Sequence, residues 1–293
     1  MDPALDLHFV EPLLAELLAL ASDAARGGQR QVLALNGPVG AGKTSLGAEL
    51  LRRAQAQGSR LAVASIDDFY LPWERRQRAL AGNPFGVSRV PPGSHDVDLA
   101  LELVAEWRQG AQLRLPRFDK TLRGGQGDRA GESLLEADVL LLEGWLLGCR
   151  PLGQARLNSL LQTNCPAIKG DGDALAGLLA QERAWLPHWD QALYAYQPLW
   201  QACCQLWLLR PLDWSLPRRW RFQAEAKQRK KGGSWLAPRE LDRLVRSSIC
   251  SLPPALYQDV LINQAKGVAV LDGRRRWVGE AQSSLSSPSS DTG

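Results

Sequence analysis

The sequence has few cysteines and histidines, and neither residue type is arranged to bind zinc. Five cysteines and three histidines occur in 293 residues, without a Cys-x-x-Cys pair or another zinc-ligand spacing. No uninterrupted apolar run approaches the length of a membrane span, and the first residues lack the basic segment of a signal peptide. We therefore expect a cytoplasmic protein that has no membrane partner.

The charge of the chain is nearly balanced. The sequence has 35 basic and 31 acidic residues, which gives a formal net charge of +4. This excess is too small to indicate a nucleic-acid partner, and it suits an anionic small molecule equally well. We interpret residues 1–282 as one globular domain, and we expect the serine-rich tail, residues 283–293, to be disordered.

Apolar periodicity predicts an α/β fold. Leucines at helical spacing predict a first helix over residues 7–26, and a second helix is expected at residues 44–57. Short apolar runs predict strands at residues 31–35, 61–65, 138–142 and 205–209. This alternation indicates a central, mostly parallel β-sheet flanked by helices on both faces. In such sheets, ligands bind beyond the carboxyl ends of the strands.

A glycine-rich segment follows the first predicted strand. Residues 37–44 read Gly-Pro-Val-Gly-Ala-Gly-Lys-Thr, which matches the P-loop pattern G-x-x-x-x-G-K-[ST]. The backbone N–H groups of such a loop converge on phosphate oxygens, and the next helix adds its positive dipole end. We expect Lys43 to reach the β- and γ-phosphates of a nucleotide and Thr44 to coordinate Mg²⁺. The predicted ATP-binding residues are Gly37, Pro38, Val39, Gly40, Ala41, Gly42, Lys43, Thr44 and Ser45.

Acidic residues follow two other predicted strands. Asp67 and Asp68 come after the strand at 61–65, and Glu143 closes the strand at 138–142. Asp67 could accept the proton of an attacking hydroxyl or hold Mg²⁺, whereas Glu143 would bind the metal or its water shell. The alternatives are turn formation by the Asp pair and helix capping by Glu143. The predicted catalytic residues are Lys43, Asp67 and Glu143, and the predicted metal ligands are Thr44, Asp67 and Glu143.

A basic segment lies in the second half of the chain. Residues 218–231 contain seven basic side chains and a single acid, Glu225. Trp220 and Phe222 alternate with its arginines, which favours a lid over a cleft rather than a solvated helix face or a nucleic-acid surface. We predict a lid over about residues 218–233 in which Arg218, Arg219 and Arg221 face the phosphates.

These motifs together resemble known kinases. A P-loop followed by Ser-x-Asp-Asp-Phe-Tyr at residues 65–70 is similar to the phosphoribulokinase, uridine kinase and pantothenate kinase superfamily. More narrowly, the chain resembles the D-glycerate 3-kinases of the photorespiratory type. The segments that carry this narrower resemblance are Pro92–Asp96, Pro116–Lys120, Gly124–Arg129, Glu143–Gly148 and Trp220–Glu225.

The resemblance implies a function and a set of site residues. It implies transfer of a phosphoryl group from ATP to D-glycerate with Mg²⁺, giving 3-phosphoglycerate and ADP, by a monomeric cytosolic enzyme. It also implies that Asp67 is the general base. The acceptor-binding residues that we expect are Asp68, Tyr70, His95, Asp96, Arg117, Asp119, Lys120 and Arg129.

From the residues alone, two alternatives stay open. One is a kinase for uridine, pantothenate or a phosphopentose, and the other is a nucleotide-binding regulator without turnover. The presence of Lys43, Thr44, Asp67 and Glu143 together argues against a regulator, which has little need of a base. The absence of an Asn-Lys-x-Asp guanine motif agrees with ATP as the nucleotide.

Overall fold

The structure is a computed structural model that describes residues 2–162, 174–230 and 236–279. The predicted tail at 283–293 and the last residues of the predicted lid, 231–233, lie outside this part of the chain. The strands are β1 (Gln31–Asn36), β2 (Leu61–Ser65), β3 (Leu113–Asp119), β4 (Asp128–Leu135), β5 (Val139–Gly144), β6 (Cys203–Pro211), β7 (Gly267–Leu271) and β8 (Trp277–Gly279). The α-helices are α1 (Pro3–Leu5), α2 (Glu11–Ala25), α3 (Lys43–Ala56), α4 (Trp73–Ala79), α5 (Val97–Arg108), α6 (Gln154–Gln162), α7 (Ala180–Ala202), α8 (Leu216–Lys230), α9 (Pro238–Cys250) and α10 (Pro254–Tyr257).

A six-stranded sheet organises the fold, with the strand order β2-β5-β1-β6-β7-β8. The first five strands of this order run parallel, and β8 pairs antiparallel with β7. The four strands predicted from apolar runs are β1, β2, β5 and β6. The prediction of a mostly parallel sheet flanked by helices is therefore confirmed.

Alternating side chains of β1 enter two separate hydrophobic cores. Val32 and Ala34 belong to the core that includes residues of α5 and α7, whereas Leu33 and Leu35 belong to the core that includes residues of α2 and α3. Because both faces of the strand are covered, its sequence is an unbroken apolar run rather than an alternating one.

Several elements differ from the predictions or were not predicted. The helix expected at 7–26 is α2, which a π-helical turn over Asp6–Val10 precedes. The long connection after β2 contains helices α4 and α5 and a two-stranded antiparallel hairpin of β3 and β4. In the described ranges, no helix combines the length and the apolar character needed to cross a membrane.

Candidate active site

The ends of three neighbouring strands form one edge of the sheet. In the parallel registers, Asn36 pairs with Gly144, and Ser65 pairs with Glu143. The P-loop leaves β1 at this edge, and Asp67 lies in the 3₁₀ turn that follows β2. The structure thus places the P-loop, Asp67 and Glu143 beside one another.

The P-loop has a backbone that glycine suits. Gly40 and Gly42 have φ angles of +79° and +99°, in the left-handed region that other residues rarely adopt. A Cβ on Gly40 would lie 2.8 Å from the backbone nitrogen of Arg221, so helix α8 packs directly on the loop. Helix α3 begins at Lys43, and its first N–H groups therefore adjoin the loop.

Lys43 and Thr44 both contact Glu143. The Thr44 hydroxyl donates to Oε1 of Glu143 at 3.0 Å, and Nζ of Lys43 lies 3.9 Å from Oε2. Nζ also donates to the carbonyl oxygens of Gly37 and Pro38. Burial lowers the pKa of Lys43, although the Glu143 and Asp67 carboxylates oppose that effect. The Glu143 carboxylate at the end of β5 therefore contacts both Lys43 and Thr44 at the start of α3.

Asp67 forms an ion pair with Lys120 of the β3–β4 hairpin. Nζ of Lys120 donates to Oδ2 of Asp67 at 2.7 Å. Burial by itself would raise the pKa of Asp67, but the charge and the hydrogen bond of Lys120 outweigh it and hold this pKa well below its usual range. Asp67 is therefore ionised at neutral pH.

Asp68 has a structural partner. Its Oδ2 accepts the backbone N–H of Ser65, while the Ser65 hydroxyl accepts the N–H of Asp67, which together form a capping box on the 3₁₀ turn. Burial raises the pKa of Asp68. Asp68 therefore stabilises the turn, which is the alternative role that the sequence suggests for the Asp pair. Its expected contact with the acceptor stays a prediction.

Tyr70 and His95 form a buried stacked pair near Asp67. Their ring centroids are 4.5 Å apart, and both residues are at most 5% exposed. Burial, helped by the charge of Arg76 and opposed by Asp67, lowers the pKa of His95 to about 4, so its imidazole is neutral. The Tyr70 hydroxyl interacts with the Asp67 carboxylate, whereas Nε2 of His95 has no hydrogen-bond partner among the described residues. One buried polar atom, Nε2 of His95, is therefore left for a ligand.

Asp96 and Arg129 bind each other. Nη2 of Arg129 donates to Oδ2 of Asp96 at 2.9 Å, and its Nε donates to the carbonyl of Tyr70. Arg75 adds a second, longer contact to the same Asp96 oxygen. Arg129 therefore ties β4 to the segment that carries Tyr70, and Asp96 compensates its charge.

Two residues that we expect to bind the acceptor, Arg117 and Asp119, have other surroundings in the structure. Arg117 is exposed, and its neighbour Phe118 instead packs on Tyr70. Asp119 accepts the backbone N–H and the hydroxyl of Thr121, which caps the hairpin turn. Their direct part in binding the acceptor stays a prediction.

The predicted lid is helix α8, and it lies on the P-loop. Trp220 is fully buried and donates through Nε1 to the carbonyl of Gly273. Arg221 pairs with Glu225 at 2.9 Å, Arg218 pairs with Asp242 of α9, and Arg219 is exposed. The helix thus brings one partly buried arginine, Arg221, next to the phosphate loop.

Sequence reasoning missed three residues near this edge. Arg275, in the turn after β7, donates to the carbonyls of Gly40 and Trp220 and so joins the P-loop to α8. Tyr196 of α7 contacts His95, and Arg89 lies buried in the connection between α4 and α5. A sequence signal existed for Arg89 alone, which precedes the Pro92–Asp96 segment by three residues.

The chain is similar to proteins that are named as kinases. It is 29% identical over 227 residues to the chloroplastic D-glycerate 3-kinase of Arabidopsis thaliana, which covers 73% of this chain and 45% of that protein. It is 29% identical over 211 residues to the uncharacterized kinase mug58 of Schizosaccharomyces pombe, which covers 68% of this chain and 71% of that protein. The chain thus spans less than half of the plant enzyme. No protein-family model matches the chain.

A solved structure shares the fold. The D-glycerate 3-kinase of Cryptococcus neoformans superposes with a TM-score of 0.73 at 24% identity, covering 92% of this chain and 97% of that one. The fold is that of a P-loop kinase. The resemblance to D-glycerate 3-kinases that the motifs indicate is confirmed by both comparisons. The names of these proteins support a small-molecule kinase, and they leave the acceptor to be established for this chain.

Proposed function

We propose that this protein transfers the γ-phosphoryl group of ATP to D-glycerate. The observation that carries the proposal is the joint contact of Lys43 and Thr44 with Glu143, beside an ionised Asp67. A regulator that only binds nucleotide has no use for a carboxylate held ionised on the acceptor side of the loop. This arrangement supplies a phosphate cradle, a cation for the transferred group and a base.

The protein has a cavity beside the phosphate loop. A cavity of about 480 Å³ lies between the start of α3 and the turn after β7, and its lining includes Gly42, Ser45, Leu46 and Arg275. This volume suits a small ligand. In the proposal, the nucleoside of ATP occupies the cavity, and its phosphates follow the P-loop toward Lys43.

The residues at the loop fit a magnesium ion. Mg²⁺ prefers oxygen ligands and is usually held by one or two carboxylates together with substrate phosphates. Thr44 and Glu143 offer a hydroxyl and a carboxylate 3.0 Å apart. Within the described residues, no group of three or more His, Cys, Asp or Glu side chains could hold a metal, so nucleotide phosphates would complete the ligand set. When bound, the ion would neutralise charge on the phosphates.

The protein's own residues would act in sequence on the acceptor. The acceptor hydroxyl forms a bond to the γ-phosphorus, the bond from phosphorus to the β-γ bridging oxygen breaks, and ADP leaves. Asp67 takes the hydroxyl proton, and Lys43 turns from the loop carbonyls to neutralise charge on the transferred group. Helix α8, with Arg221, would exclude water from the site.

A coupled assay tests the proposal. ADP release should require D-glycerate, ATP and Mg²⁺ together, and the product should be 3-phosphoglycerate by ³¹P NMR. A folded Lys43→Ala variant should be slower by at least about a hundredfold, because it lacks the cation at the transferred group. Near-normal activity in that variant would remove the P-loop from the mechanism.

A further inference from the structure

Arg89 is a buried cation without an acidic partner. It is 5% exposed, and one of its nitrogens, Nη1, donates to the carbonyl of Gly125 at 2.7 Å. Within the described residues, no carboxylate forms an ion pair with it and no further hydrogen bond of its guanidinium is present. Burying a charge without a counterion is unfavourable, so this arrangement calls for an anion.

The ionisable neighbours of Arg89 show where in the candidate site it lies. They include Tyr70 and Asp67 on the acceptor side, and Arg221 and Glu225 of α8. The two carboxylates in this group are already bound, Asp67 by Lys120 and Glu225 by Arg221. Arg89 therefore lies between the acceptor-side residues and helix α8, and the neighbouring carboxylates are engaged elsewhere.

The other cations around Asp67 already have partners or are exposed. Lys120 is paired with Asp67, and Arg129 is paired with Asp96. Arg76 is fully buried but is satisfied by backbone carbonyls, since Nε, Nη1 and Nη2 together donate to four of them. Arg117 is exposed. Unlike these four cations, Arg89 combines burial with unused donors.

We propose that Arg89 binds the carboxylate of the acceptor substrate, with the Tyr70 hydroxyl and Nε2 of His95 as its polar neighbours. This inference rests on the proposed function and adds the recognition of an acidic acceptor to it. An arginine suits the task because its planar guanidinium meets a carboxylate with two parallel hydrogen bonds. Nε2 of His95, which has no partner among the described residues, is then satisfied by a hydroxyl of the same small acid.

Steady-state kinetics of Arg89 variants test this assignment. Arg89→Gln should lower kcat/KM for D-glycerate by about a hundredfold and leave the KM for ATP unchanged, because an acceptor carboxylate loses its buried partner. Arg89→Lys keeps the charge but loses the paired geometry, so about a tenfold loss is expected. Arg78→Gln, at an exposed arginine of α4, is the matched control and should behave as the parent. A rise in the KM for ATP with acceptor kinetics intact would place Arg89 on the phosphates and overturn the proposal.

If the Arg89 variants do not fold, a complex of the parent protein with D-glycerate tests the assignment instead. A crystal structure of the parent with ADP and D-glycerate should show the carboxylate in hydrogen-bond contact with the Arg89 guanidinium, and a carboxylate bound elsewhere would overturn the assignment. The acceptor panel on the parent separates this inference from the proposed function. Turnover of pantothenate, another carboxylate, in place of glycerate would refute the proposed function and leave Arg89 supported. Turnover of uridine alone would refute both.

Discussion

The phenolic oxygen of Tyr196 lies 2.8 Å from Nδ1 of His95, and it accepts the backbone N–H of Gly93. This oxygen still has its own proton to donate, and we infer that it donates that proton to Nδ1. A neutral imidazole that accepts at Nδ1 carries its proton on Nε2. In this arrangement, a side chain of α7 would set the tautomer of a buried histidine whose Nε2 has no partner in the described parts of the chain.

Loss of the Tyr196 hydroxyl should weaken binding of the acceptor. Tyr196→Phe removes the donor that fixes the tautomer, so we expect the KM for D-glycerate to rise about five- to tenfold, the usual range for one hydrogen bond. The KM for ATP should not change. Tyr194→Phe, at an exposed tyrosine of the same helix, is the matched control. A folded Tyr196→Phe protein with parental acceptor kinetics would show that the tautomer has no role.

Asp67 should control the chemical step rather than nucleotide binding. Asp67→Asn keeps the shape of the side chain but removes the base, so kcat should fall by about a hundred- to ten-thousandfold. ATP affinity, measured by isothermal titration calorimetry, should stay within about threefold of the parent. If ATP affinity collapses while kcat holds, Asp67 is a nucleotide or metal residue, and Asp68 becomes the candidate base.

The pair between Lys120 and Asp67 predicts a change in pH dependence. Lys120 holds the pKa of Asp67 below its usual range against the effect of burial. In Lys120→Met, only the smaller effects of His95 and Tyr70 still oppose burial, so that pKa should rise and Asp67 becomes protonated at higher pH. The acid limb of the kcat profile should therefore move to higher pH than in the parent. An acid limb that stays in place would mean that another group titrates there.

The arginines of α8 should support closure over the phosphates. We expect Arg221→Ala to lower kcat by at least about tenfold, because Arg221 lies beside the P-loop. Arg218→Ala and Arg219→Ala should have smaller effects, since one pairs with Asp242 and the other is exposed. The ratio of ATP hydrolysis to transfer should rise as coupling is lost. Arg239→Ala in α9 is the control. If all three lid variants have the activity of this control at both low and high salt, α8 does not act as a lid.

The sheet and the phosphate loop could be predicted from the sequence because their signals are local. Each parallel strand is buried on both faces and shows as a short apolar run, and the P-loop pattern is contiguous. Strand β7 shows the same apolar signal in Val268–Leu271, so the sequence supports a strand there as well. By contrast, β3 and β4 form a partly exposed hairpin whose sequence includes Pro116, Gly131 and several charges, which hides the alternation.

The rest of the candidate site depends on contacts between distant segments. Tyr196 is 101 residues from His95, and no local pattern distinguishes it from the other aromatic residues of α7. Sequence reasoning could name cations near the acceptor, but not which of them are compensated. Arg129 is neutralised by Asp96 and Arg89 by none of the described acids, a difference that appears only when the chain is folded.

A panel of acceptors tests whether D-glycerate is the substrate of this kinase. Coupled ADP release is measured with D-glycerate, glycerol, uridine, pantothenate and ribulose 5-phosphate at matched concentrations with ATP and Mg²⁺. We predict that D-glycerate is turned over far faster than every other compound, and that glycerol is poor because it lacks the carboxylate. Turnover of D-glycerate no greater than the acceptor-free background, beside clear turnover of any rival, would show that D-glycerate is not the acceptor.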